Sequence, residues 1–118
     1  MATPYVSSAA EASAQAFASG TTGQLRSVTV LNLAGGTRYV WIYSGTSSAG
    51  TLIAGPFPVA AGAGVSLSFG DFGGANDVTR SSNSALGRFT NGCWIASSTS
   101  GTTFTAGGSD FRINAEAL

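Results

Sequence analysis

The chain is 118 residues long with 8% charged residues, and its five basic side chains, all arginine, balance five carboxylates to a net charge of zero. Such a balance gives no long-range pull toward phosphate backbones or an anionic membrane surface, so neither nucleic acid nor membrane is expected as a partner. The length suits one domain, and 43% hydrophobic residues with seventeen glycines point to short strands joined by tight turns.

Residues 1–23 differ in composition from the rest. They are rich in Ala and Ser, with Tyr5, Val6 and Phe17 as their apolar pegs. Ser8 followed by Glu11 fits a capping box, so a short helix running to Phe17 is one expectation, and an arm ordered against a partner is the other. No basic leader or membrane-length apolar run is evident, which suggests synthesis and retention in the cytoplasm unless the protein leaves on a larger assembly.

From residue 24 to 118 the pattern is that of a β-sandwich, of jelly-roll or immunoglobulin-like type. Gln24 to Leu33 forms the first strand of this region, where the adjacent Val30 and Leu31 break strict alternation and suggest a bulge or a shift of face. The central strand is Arg38-Tyr39-Val40-Trp41-Ile42-Tyr43-Ser44. Its period of two sends Tyr39, Trp41 and Tyr43 to one face and Val40 and Ile42 to the other, so neither face is wet and both need cover. One cover is a second sheet; the other is a loop or a neighbouring chain. Thr51 to Val59 follows, and Pro56 and Pro58, which have no N–H to donate, place its second half at a sheet edge. Val65 to Phe69 alternates apolar with serine.

Residues 70–87 carry no periodicity and form a candidate contact loop. An Asn91-Gly92 turn leads into Cys93 to Ser97, with Cys93 and Ile95 on one face and Trp94 and Ala96 on the other. Thr102 to Thr105 and Asp110 to Asn114 complete seven or eight strands.

Catalytic chemistry finds little footing. Without histidine there is no Ser-His-Asp or Cys-His arrangement, and without lysine no Walker-type phosphate loop. Cys93, a lone cysteine between Gly92 and Trp94, reads as a small core residue. Asp71, Asn76 and Asp77 could gather oxygen atoms around calcium, but their turn chemistry accounts for them, and no metal or cofactor is expected. A glycosidase pair drawn from Asp71, Asp77 and Asp110 has no fixed separation to support it. The aromatics Tyr39, Trp41, Tyr43 and Trp94 would suit a sugar-stacking platform, although core or interface packing is the simpler use.

Three segments together resemble small β-sandwich structural proteins of tailed bacteriophages, such as capsid decoration or cement proteins. They are Gly36 to Tyr43; Gly55-Pro56-Phe57-Pro58-Val59 with Ala61-Gly62 and Ser66 to Gly70; and Phe89-Thr90-Asn91-Gly92-Cys93-Trp94 through Ser98. The N-terminal segment is unmatched. The resemblance implies a non-enzymatic virion component on the outer capsid surface, a homotrimer that binds the major capsid protein and stabilises the assembled head. A tail or fibre accessory, or a carbohydrate-binding adhesin module, is the alternative. On this reading Tyr5, Val6 and Phe17 dock to the shell, while Tyr39, Trp41, Tyr43, Pro56 and Pro58 form the oligomer interface.

Overall fold

The computed structural model describes residues 3–7, 9–14, 22–69 and 88–117. Eight strands make an antiparallel sandwich: β1 (Thr3–Val6), β2 (Gly23–Asn32), β3 (Arg38–Ser44), β4 (Thr51–Val59), β5 (Gly64–Ser68), β6 (Arg88–Phe89), β7 (Cys93–Ser98) and β8 (Phe111–Ala117). The larger sheet has the order β1-β8-β2-β5, with β6 also on β2, and the smaller has the order β4-β3-β7. No helix long and apolar enough to cross a membrane occurs among the described residues.

The core lies between the sheets and follows the period of two. Val28 and Val30 of β2, Val40 and Ile42 of β3, Cys93 and Ile95 of β7, and Phe111 and Ile113 of β8 are at most 1% exposed and form one cluster. Val65, Leu67 and Phe69 pack against its edge, while Ser66 and Ser68 face outward. Burial pushes the Cys93 thiol up to about 12, which keeps it protonated and unreactive at neutral pH.

Strand β4 is the edge strand that its prolines require. Its register on β3 shifts between Val40 and Ile42, and Gly55 sits at that irregularity with φ of +102°. A Cβ there would lie 2.4 Å from the Val40 carbonyl oxygen. Asn91 and Gly92 also have positive φ, 61° and 92°, as a tight turn of this pair demands. The turn does not close a hairpin, however. It carries the chain from β6 in the larger sheet to β7 in the smaller one.

Four expectations need correction. Residues 9–14 are not helical: Glu11 exchanges both backbone hydrogen bonds with Phe111, Ser97 N–H donates to the Ala12 carbonyl, and Ala14 N–H donates to that of Ile95. A helix this short is marginal in water, whereas two sheet edges offer ready partners for the same backbone groups. Val30 and Leu31 do not mark a bulge; Leu31 simply faces out, and the register shift lies between Leu25 and Ser27. Thr102 to Thr105 is not a strand but part of a loop anchored by an isolated Ser98–Ala106 bridge. The last strand runs on to Ala117, because Ala115 and Ala117 continue the inward face.

The close approach at Gly55 is testable. Gly55→Ala combines backbone strain with a clash and should cost about 2 kcal/mol or more in urea unfolding. Gly62→Ala meets a positive φ but open space and should cost less.

Candidate functional site

Two surfaces and one edge carry the residues that the sequence singles out. The first surface is the outer face of the smaller sheet. Trp41 and Tyr43, two residues apart on β3, stack with ring centroids 6.2 Å apart and planes 7° from parallel. Phe104, reaching over from the loop between β7 and β8, stands nearly perpendicular to both, at 6.1 Å and 6.0 Å, and lies 5.4 Å from Trp94. These separations suit favourable edge-to-face pairs. Trp41 Nε1 donates to the Ser100 carbonyl at 3.1 Å. The Ser98 hydroxyl donates to that same carbonyl and accepts the amides of Ser100 and Thr105, which holds the loop in shape. Gly101 brings the loop backbone so close to Tyr39 that a Cβ would sit 2.7 Å from its ring.

Trp41, Tyr43 and Trp94 are therefore each only 7% exposed within one protomer. Within one protomer the cover of Trp41 and Tyr43, expected at an oligomer interface, comes from the chain's own loop. Tyr39 is half-buried and keeps a rim accessible. Trp94 Nε1 is buried without a hydrogen-bond partner among the described residues.

The loop is locked by a charged network. Asp110 Oδ2 accepts Arg38 Nε at 2.9 Å, the Ser97 hydroxyl at 2.9 Å and the Gly108 amide at 3.0 Å. It thereby joins β3, β7 and the approach to β8. Gly107 permits this approach, since a Cβ there would fall 2.7 Å from the carboxylate. Burial pushes the Asp110 pKa up, but the bonds from Ser97, Arg38 and Gly108 and the Arg38 charge outweigh it and hold the carboxyl below its ordinary value. Asn32, fully buried at the end of β2, is a second tie. Its amide donates to the carbonyls of Val59 at 2.9 Å and Gly36 at 3.0 Å, and its Oδ1 accepts the Ala34 amide. Sequence reasoning passed over Asn32 and named Asp110 only as a possible catalytic carboxylate, because the ties to Val59 and Arg38 join positions distant along the chain.

The second surface is the outer face of the larger sheet. Pairing registers set three rows across it: Pro4–Glu116–Ser27–Ser68, Val6–Asn114–Thr29–Ser66 and Arg112–Leu31–Gly64. Val6 is 66% and Leu31 37% exposed, and a shallow depression of about 280 Å³ lies between them. Most of the other positions are small or hydroxylic, with Thr29 and Ser66 hydrogen-bonded across the strands at 3.1 Å.

Of the residues expected to dock, only Val6 stands on this face. Tyr5 turns inward against the core, and its hydroxyl donates to the Glu11 carboxylate. Burial first, then that bond and the Glu11 charge, raise the Tyr5 pKa to about 12. Tyr5 is thus a tie within the fold rather than a docking peg. Phe17 lies outside the described residues, as do Asp71, Asn76, Asp77 and the contact loop of residues 70–87. Asp110, the remaining carboxylate of the glycosidase idea, is committed to its network. The edge that the prolines mark is β4, with Leu52 41% exposed, Pro58 exposed and Pro56 half-buried.

The Asp110 network fixes a pH dependence. Its folded pKa is lowered, so its contribution to stability is present above the unfolded carboxylate value of about 3.9 and is lost as pH falls through the lower folded value. Urea midpoints should therefore drop on acidification through that window, and Asp110→Asn should flatten this part of the drop while lowering stability at neutral pH.

Comparison with family models, with curated proteins and with solved structures finds no match. What the chain does has to be read from its residues and their arrangement.

Proposed function

We propose that this chain is a non-enzymatic structural protein of a bacteriophage virion, a decoration protein that binds the assembled capsid through the outer face of its larger sheet and stabilises it. The observation that carries the reading is the character of that face. It is built from regular strands and carries one arginine and one glutamate across its three rows. Small hydroxylic side chains surround two exposed aliphatic ones. Depletion of charge around exposed apolar groups is the composition of interface centres rather than of open surface. The resemblance of the strand region to phage decoration proteins supplies the identity of the partner, the major capsid protein.

Individually modest contacts of this kind gain strength by repetition. A homotrimer presents three such faces to a symmetric shell at once, and the second and third contacts form at high effective concentration. The open β4 edge around Leu52, Pro56 and Pro58, with the rim of Tyr39, is the surface proposed for self-association. Its prolines limit pairing to partners that need few ladder hydrogen bonds. The covered aromatic cluster does not favour the adhesin alternative, because Phe104 already occupies the place a stacked sugar would take.

The test is co-sedimentation with shells assembled from the major capsid protein of the virion that carries this chain. Val6→Glu and Leu31→Glu alter exposed positions and should leave the fold intact. Each should weaken shell binding by about a hundredfold, since each buries an unpaired carboxylate in the contact. Unchanged binding by both folded variants would refute this face as the docking surface.

A further inference from the structure

At one end of the sandwich the two sheets part around a half-open cavity of about 300 Å³. One wall comes from the larger sheet, where Gly23 pairs with Phe89, and the other from the smaller sheet, where Ser44 pairs with Thr51. Phe89, 3% exposed, and Ile53, 6% exposed, give it an apolar floor. The Ser44 hydroxyl accepts the Thr90 amide at 2.8 Å and donates to the Thr90 carbonyl at 3.3 Å, which clamps the two walls together.

Apart from Ser44, the polar side chains of the rim are uncommitted among the described residues. The hydroxyls of Thr22, Thr51 and Thr90 make no hydrogen bond among the described residues, and Arg88 has no ion pair among them. In a chain with five basic residues this matters. Arg38 is committed to Asp110, whereas Arg88 sits beside a hydroxyl-lined hollow with no ion pair among the described residues.

We infer that this cavity binds a small carboxylated polyol of the acidic-monosaccharide class. The volume stands at the lower end of ligand sites and suits a single small molecule. A guanidinium matches a carboxylate bidentately, the three threonine hydroxyls can each donate to or accept from sugar hydroxyls, and the Phe89 and Ile53 floor suits the C–H face of a pyranose ring. A bare inorganic anion would leave the apolar floor unused. A neutral sugar would leave the arginine unused. The site lies apart from the outer face proposed to dock to the shell and does not depend on that reading.

The test titrates sodium glucuronate into the isotope-labelled full chain and follows backbone amide shifts, with glucose and inorganic phosphate as parallel arms. The expected result is a saturable shift at Thr22, Ser44, Thr51 and Arg88 to Thr90, weak or absent with glucose and phosphate. Arg88→Gln, at an exposed position, should keep the remaining spectrum and weaken glucuronate about tenfold or more, the worth of one charge-assisted contact. Arg88→Lys should retain part of the affinity. Absence of a saturable shift, shifts confined to other residues, equal affinity for phosphate or glucose, or an Arg88→Gln variant that binds as the parent does would each overturn the inference.

Discussion

A strand with no wet face is the constraint on which the remainder of this molecule depends. β3 places Val40 and Ile42 against the other sheet and Trp41 and Tyr43 on the opposite side, and both pairs must leave water. The core satisfies the first. The second is met by a loop that contributes one ring, Phe104, edge-on to both aromatics, and by a backbone carbonyl that takes the Trp41 N–H. Such a loop would be a poor lid if it were free to swing. The Asp110 carboxylate, gripped by Arg38 and Ser97, fixes its far end to the strands beneath.

The N-terminal segment answers a different demand, that of exposed sheet edges. After pairing with β8 as β1, the chain continues along that edge through Ser7 and Glu11, then crosses to the smaller sheet and bonds β7 through Ala12 and Ala14. One side of the sandwich is closed by this strap. β4 remains open on the smaller sheet, and there the prolines take over the protective role. A composition that looked like a detachable arm is, over its described residues, a structural seam. In the proposed reading the docking role accordingly passes from the segment as a whole to its outward-facing side chains, of which Val6, 66% exposed, is the apolar one on the outer face beside Leu31.

What the sequence disclosed and what it withheld follow a physical line. Strand faces were legible because a period of two is a local property: Cys93 and Ile95 opposite Trp94 and Ala96, and Phe111 together with Ile113, all lie where the alternation puts them. The edge position of β4 was legible from Pro56 and Pro58, and the Asn91-Gly92 turn from its residue pair, again by local chemistry. The strap was not, since alanine and serine carry weak preferences and their backbone partners lie far along the chain in β7 and β8, from Ala14 with Ile95 to Ser7 with Ile113. The Thr102 to Thr105 stretch was misread for the opposite reason: threonine and phenylalanine favour strands, but local bonds to the Ser98 and Ser100 hydroxyls hold their backbone in a loop. Asn32, Asp110 and Arg88 take their roles from neighbours that only the closed sandwich brings together, and Arg38–Asp110 spans seventy-two positions.

The proposed roles all rest on surfaces: an outer face poor in charge, an edge restrained by proline, and a polar hollow where the sheets part. This division holds only if the aromatic cluster is closed by its own chain and is not an interface waiting for a neighbour. Acrylamide quenching of the tryptophan fluorescence, followed through dilution alongside sedimentation, decides that point. Trp41 and Trp94 should stay equally shielded down to concentrations at which the protein sediments as a monomer. Quenching that climbs in step with dissociation would mean that a second chain supplies the cover, and the account of β3 would fail.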